Sequence, residues 1–291
     1  MSEKYIKSCL NYVGGKYKLL GEILRLFPDD MSTFVDLFGG GFNVGVNVKA
    51  EHTIYNDICT QVVDLLKHFY ETDYKDIHEK ILETITSYGL SRSDINGYKN
   101  YGCDSSNGLG NYNKPKYLKL REDYNKCPDW IKFYTLITCA FNNQIRFNSK
   151  GEFNIPYGKR DYNITLQKKL KEFVEELHKE DIEFHNKDFR DYVFQNRDFV
   201  YCDPPYYNSV ASYNENGGWM ENDERDLLNL LDDINLKGGR FALSNNLKYD
   251  NPILKEWKDR YHVHYLNGNY NNCNYQKKDK SQDIEVLITN Y

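Results

Sequence analysis

A chain of 291 residues, 40% apolar and 28% charged, can bury a full α/β core, either as one large domain or as a core with an inserted module. Its seven cysteines (Cys9, Cys59, Cys103, Cys127, Cys139, Cys202, Cys273) are odd in number and never fall in a Cys-x-x-Cys or Cys/His spacing. That argues against a disulfide framework and a zinc site, and a reducing cytoplasm fits best; no apolar run reaches the length of a signal h-region or a membrane span, so a soluble protein is expected.

A formal charge of −5 and a pI near 5.9 leave no overall basic footprint for nucleic acid. The balance is different between Arg146 and Lys171. There Arg146, Lys150, Lys159, Arg160, Lys168, Lys169 and Lys171 stand against Glu152 and Asp161. Such a patch suits phosphate, while charge alone favours a solvated helix face after a loop.

In chain order, FVDLFGGGFNVGVNV (34–48) reads as a short apolar strand, a glycine turn and a small-residue helix, and TIYND (53–57) as a second strand ending in a carboxylate. Strand, helix, strand predicts a parallel α/β sheet. From about 59 to 140 the apolar spacing turns helical in QVVDLLKHFY, DIHEKILETI, KYLKLREDY and WIKFYTLITCAF. Residues 91–114, rich in Gly, Asn, Ser and Tyr, read as a long loop. QIRFNSKGEFNIPYG (144–158) alternates on both sides of Ser149, Lys150 and Gly151, the pattern of a β-hairpin. The α/β pattern resumes after a helix at about 166–179. IEFHN, DFVYCD, GRFALSN, YHVHYLN and IEVLITN then read as strands, and ERDLLNLLDDI and PILKEWKD as helices.

Gly39, Gly40 and Gly41 follow a strand, where glycine lets a backbone come close to a ligand. They form neither a Walker loop nor G-x-G-x-x-G, since Val44 stands at the last glycine position. Asp57, ending the next strand, is placed to accept from two ribose hydroxyls, although strand-end turn chemistry would use the same residues.

In FVYCDPPYYN (199–208) an apolar strand stops at an acid and two prolines. Proline fixes φ and Pro204 lacks an N–H, so the corner is stiff. The Asp203 carboxylate and the Pro204 carbonyl can accept both hydrogens of an exocyclic amine, and Tyr206 offers a flat face for a base. These are the needs of chemistry on a nucleobase amino group.

With these motifs the sequence resembles the DNA adenine-N6 methyltransferases of the Dam type, and in pattern the Dam enzymes of T-even phages. YVGGKYKLL, FVDLFGGG, KLREDYNK, FNIPYGKR, DFVYCDPPY and DLLNLLD stand in that order over nearly the whole chain. The resemblance implies a Rossmann-like methyltransferase sheet formed by residues 1–58 and 165–291, with a helical target-recognition domain at 59–164 carrying a DNA-binding hairpin at about 144–158. It implies S-adenosyl-L-methionine as cofactor, bound by Tyr12, Lys16, Asp36, Gly40, Asp57, Asp188, Phe189 and Asp203. Catalysis would fall to Asp203, Pro204 and Tyr206. Double-stranded DNA would be met by Asn142, Gln144, Arg146, Asn148, Pro156 and Arg160, with Arg146 against a guanine edge.

The implied activity is methyl transfer to N6 of a flipped adenine, with GATC as the expected site, a monomeric state and a bacterial or phage setting. A cognate restriction endonuclease is one partner the resemblance allows. Three positions depart from the pattern: Phe42 stands where many relatives have a glycine, Gln144 replaces an apolar hairpin residue, and Asn11 replaces a lysine. A catalytically silent DNA-binding relative and an RNA or protein methyltransferase are the alternatives.

Overall fold

The computed structural model describes residues 4–104, 106–195, 198–208, 218–266 and 284–291, so Cys273 and the last residue of the strand expected at 261–267 lie outside the described residues. The chain forms two compact units. One comprises residues 1–5, 16–60 and 180–291, and the other residues 6–15 and 61–179. By contacts, therefore, residues 6–15 and 165–179 group with the helical segment rather than with the sheet. Among the described residues no helix is long and apolar enough to cross a membrane.

The first unit is a seven-stranded sheet in the order β3-β2-β1-β4-β5-β7-β6. Its strands are β1 Thr33–Asp36, β2 His52–Asn56, β3 Ile182–His185, β4 Asp198–Cys202, β5 Arg240–Asn246, β6 His262–Tyr265 and β7 Glu285–Thr289. The first five pair in parallel, and β7 lies antiparallel between β5 and β6. This is the expected Rossmann-like methyltransferase sheet.

The alternation of side chains along each strand explains why both faces are apolar. Val35, Val200, Cys202, Phe241, Leu243, Val286 and Ile288 share one core with Leu227, Leu228, Leu231 and Ile234 of the helix Glu221–Leu236, a stripe at helical spacing. Phe34, Phe199, Tyr201, Ala242 and Leu287 take the other face with Leu19, Leu20, Ile23 and Phe27. Asp223 and Glu224 stand in the first turn of Glu221–Leu236, where their charge favours the helix dipole, and the Asp223 carboxylate accepts from the Met220 N–H at 2.7 Å.

One expected element differs. The small-residue helix after the glycines is only a 3-10 turn, Gly45–Asn47. Phe42 sits at φ 59°, a left-handed conformation no helix continues through.

The second unit contains the expected helices, among them Tyr74–Ser87, Gly110–Lys126, Trp130–Cys139 and Ile164–Leu177. Ile77, Ile81 and Ile85 make the buried stripe of Tyr74–Ser87. The stretch read as one loop contains helical turns. It holds a short helix at Ser93–Asn96, a 3-10 turn at Lys99–Tyr101, and the start of Gly110–Lys126, which begins ahead of Pro115.

Residues 144–158 double back with two isolated antiparallel bridges, Ala140 to Tyr157 and Phe147 to Phe153, in place of a continuous ladder. Helix side chains take the other backbone partners. Asn125 bonds both the N–H and the carbonyl of Phe153 at 2.9 and 3.2 Å, and the Tyr117 hydroxyl donates to the Ile155 carbonyl at 2.8 Å. Packing replaces pairing as well, since Phe133 lies 5.6 Å from Phe147, 5.8 Å from Phe153 and 5.5 Å from Tyr124.

Candidate active site

In the sheet order the direction of strand succession reverses between β1 and β4, and open α/β sheets bind ligands at the carboxyl ends of strands at such a point. Two acids end these strands. Asp36 is the last residue of β1, and Asp203 directly follows β4. Lys16 Nζ donates to both Asp203 oxygens, at 2.7 and 2.8 Å. Lys16 is 3% exposed and the Asp203 side chain 19%, so the pair is shielded while its carboxylate still reaches the surface. Burial raises the Asp203 carboxyl above its ordinary value, and the Lys16 charge pulls it back.

Pro204 is buried, and Pro205, Tyr206 and Tyr207 are half-buried, so the corner opens outward from a firm base. The Tyr206 hydroxyl lies 3.4 Å from Asp203 Oδ1 and 3.1 Å from Glu285 Oε2, and Lys16 Nζ sits 5.1 Å from the Tyr206 ring centroid. Three of the predicted residues, Lys16, Asp203 and Tyr206, are thus brought together, with Glu285 as a fourth member that the sequence reading missed. Its signal was present: a lone acid heads the otherwise apolar run of β7.

Asp36 is buried, and the Gly45 N–H donates to its Oδ2 at 3.2 Å. Burial, then the nearby charge of Asp203, pushes its carboxyl up to about 8. The glycines of this turn serve internal packing more than the sequence suggested. A Cβ on Gly39 would lie 2.2 Å from the Tyr55 ring, and one on Gly45 would lie 2.0 Å from the Phe42 ring. Gly40 takes φ 48°, and its carbonyl accepts from the Tyr55 hydroxyl at 2.9 Å.

Asp57 follows β2. Its carboxylate accepts from the Gly40 N–H at 2.9 Å and the Cys59 N–H at 2.8 Å. Burial raises this carboxyl while the two N–H groups oppose the rise. A carboxylate has about four acceptor sites, so two backbone bonds leave capacity for the vicinal hydroxyls of a ribose.

Asp188 and Phe189 follow β3. Asp188 caps the 3-10 turn Phe189–Asp191 and accepts from Arg190 Nη1 at 3.2 Å; Arg190 also bonds Asp223 at 2.6 Å and Asp226 at 2.7 Å. Phe189, 5% exposed, packs on Phe38 at 5.4 Å and Trp219 at 5.5 Å. Arg190 and Trp219 were not singled out in the sequence, because their partners lie far along the chain.

These groups fit S-adenosylmethionine by their chemistry: an acid with spare acceptor capacity for ribose at β2, an aromatic cluster with an acid after β3, and a shielded cation–carboxylate pair after β4.

The remaining predicted residues belong to the second unit. Tyr12 starts a turn whose Gly15 N–H donates to its carbonyl at 3.3 Å. Asn142 is exposed in a left-handed conformation at φ 54°, and its carbonyl accepts from Asn11 Nδ2 at 2.6 Å. Gln144 and Arg146 are half-buried, and Arg146 Nε donates to Asn154 Oδ1 at 2.8 Å. Asn148 is a turn residue, since its Oδ1 accepts from the Lys150 and Glu152 N–H groups at 2.9 and 3.0 Å. Pro156 and Arg160 are exposed. The Gly/Asn-rich stretch wraps this last segment. Arg160 Nη1 donates to the Tyr98 hydroxyl at 3.3 Å, the Leu109 N–H donates to the Lys159 carbonyl at 3.0 Å, and Lys159 Nζ reaches the Ser106 carbonyl at 3.2 Å.

Comparison with known proteins gives the family. The chain is 41% identical over 302 residues to the type II methyltransferase M.FokI of Planomicrobium okeanokoites, and 38% identical over 304 residues to the modification methylase StsI of Streptococcus sanguinis. Each alignment covers 100% of this chain and 44% of the relative, so the chain spans less than half the length of these two proteins. A DNA adenine methylase of Haemophilus influenzae is 26% identical over 204 residues, 68% of this chain and 63% of that protein. The profile of the D12 class N6 adenine-specific DNA methyltransferases matches residues 12–272, and the chain belongs to that family.

Proposed function

We propose that this chain transfers a methyl group from S-adenosylmethionine to N6 of an adenine swung out of duplex DNA. The observation that carries the reading is the Asp203 carboxylate, set directly after β4 at the reversal of strand order and gripped through both oxygens by Lys16. When bound, S-adenosylmethionine supplies an electrophilic methyl on a positively charged sulfur.

The chain's residues do the rest. Lys16, Asp36, Gly40, Asp57, Asp188, Phe189 and Asp203 would hold the donor. Lys16 opposes the rise that burial imposes on Asp203 and fixes its carboxylate, which accepts one N6 hydrogen while the Pro204 carbonyl accepts the other. Two acceptors localise the amine lone pair, and aligned acceptors in a shielded site cost no reorganisation during transfer. Tyr206 offers its ring to the extruded base.

The second unit is assigned DNA recognition, through Asn142, Gln144, Arg146, Asn148, Pro156 and Arg160. The names of the FokI and StsI relatives support a restriction–modification setting in a bacterial cytoplasm, with a cognate endonuclease as partner. Motif pattern supports the finer likeness to T-even phage enzymes, and the family resemblance a monomer. GATC is the site to test first.

The test combines labelled S-adenosylmethionine with mixed-sequence duplex DNA, followed by nucleoside analysis and sequencing of host DNA after expression. Labelled N6-methyladenine is expected. Cofactor binding with no labelled adenine at any salt concentration would overturn the reading.

A further inference from the structure

We propose that Glu285 is a positioning residue: through the Tyr206 hydroxyl it sets the tyrosine ring and keeps that hydroxyl off Asp203. The inference rests on the methyl-transfer reading above.

Glu285 heads β7 and is 7% exposed. The antiparallel register places it opposite Asn246, whose Nδ2 donates to Oε1 at 2.9 Å, which leaves Oε2 for the Tyr206 hydroxyl at 3.1 Å. One carboxylate oxygen is therefore anchored by the sheet and the other holds the tyrosine. Val286, Leu287 and Ile288, the residues that follow, are wholly buried and apolar. An apolar side chain would suit the head of this strand too, and a buried carboxylate is costly unless it is bonded.

A phenol hydroxyl donates a single hydrogen. Between its two carboxylate neighbours the shorter approach is to Glu285, at 3.1 Å against 3.4 Å for Asp203 Oδ1. Donation to Glu285 leaves the acceptor sites of Asp203 that Lys16 does not take to one amino hydrogen of the base. Without Glu285, the hydroxyl turns to Asp203 and competes with the substrate for the same oxygen.

The competition has a signature that a merely structural acid lacks. Glu285→Leu should lower the single-turnover methyl-transfer rate by about tenfold, the scale of one misplaced hydrogen bond to a charged group, while S-adenosylmethionine binding by calorimetry stays at the wild-type value. Adding Tyr206→Phe removes the competing hydroxyl and should restore part of the lost rate. Glu285→Gln keeps the shape but has one acceptor oxygen: with that oxygen on Asn246 Nδ2, its amide N–H faces the Tyr206 hydroxyl and donates to it, so the phenol hydrogen is again left to Asp203 and the rate should fall as in Glu285→Leu. If Glu285→Leu fails to fold, Asn246→Ala, which frees Oε1 and lets the carboxylate swing away, replaces it in the same pairing with Tyr206→Phe.

A Glu285→Leu enzyme as fast as wild type overturns the inference alone, as does a double variant slower than Glu285→Leu by the full Tyr206→Phe factor. Wild-type protein that transfers no methyl group to adenine overturns both this inference and the function it rests on.

Discussion

Replacing Asp36 by asparagine should make the protein less sensitive to alkali. The Asp36 carboxyl is raised from an ordinary 3.8 to about 8, first by burial and then by the charge of Asp203. A carboxyl whose folded value lies above its unfolded value binds its proton more tightly in the fold. Stability is therefore greatest at the acid side and falls as pH rises, from the unfolded value up to about 8, where the loss is complete. One proton changes stability by about 1.4 kcal/mol per pH unit, so between about pH 5 and about pH 7 this residue removes about 3 kcal/mol.

Asparagine mimics the protonated acid, since its carbonyl oxygen can still accept from the Gly45 N–H, and it carries no charge at any pH. Denaturant and thermal melts of both proteins, taken at intervals from about pH 5 to about pH 9, should diverge by about 4 kcal/mol in all and become parallel above about pH 8. Melting curves that stay parallel throughout would refute the reasoning, because Asp36 would then be an ordinary ionised acid. Asp203→Asn supplies an internal control: with the second cause removed, the divergence should end at a lower pH.

Asp203→Ala should reduce methyl transfer by at least about a hundredfold while duplex binding, read by gel shift, is largely kept. Gly39→Ala drives a methyl group into the Tyr55 ring and should lower stability by about 1–3 kcal/mol, seen as a lower Tm. Phe153→Ala removes a ring shared with Phe133, Phe147 and Tyr124, at a cost of about 3–5 kcal/mol to the second unit. Duplex affinity should fall with it, while calorimetric titration with S-adenosylmethionine should read as in wild type.

The strands were legible because those buried on both faces read as continuous apolar runs, DFVYC above all, and the helices because of their stripes. The turn after β1 was harder. Phe42 and the glycines read as helix and ligand loop, yet the close approach of Tyr55 to Gly39 depends on packing between β2 and that turn, which one-dimensional spacing does not report. The Asp203 corner stood out through its prolines. Its supports were hidden for a different reason: Lys16 lies 187 positions from Asp203 and Glu285 lies 79 from Tyr206, so only the parallel crossovers and the β5–β7 register join them. In residues 144–158 the reversal was legible from the turn and the bridge partners were not, since alternation signals a half-buried extended chain and does not say whether another strand or helix side chains will bond its backbone.

The antiparallel placement of β7 bears on how the molecule is made. A nascent chain emerging from the ribosome carries β5 and β6 before β7, and neither pairs with the other in the finished sheet. Until the segment ending at Thr289 arrives to wedge between them, one hydrogen-bonding edge of β5 stays open, an invitation to intermolecular pairing. Between synthesis of β5 and of β7, that edge is therefore one for a chaperone to cover.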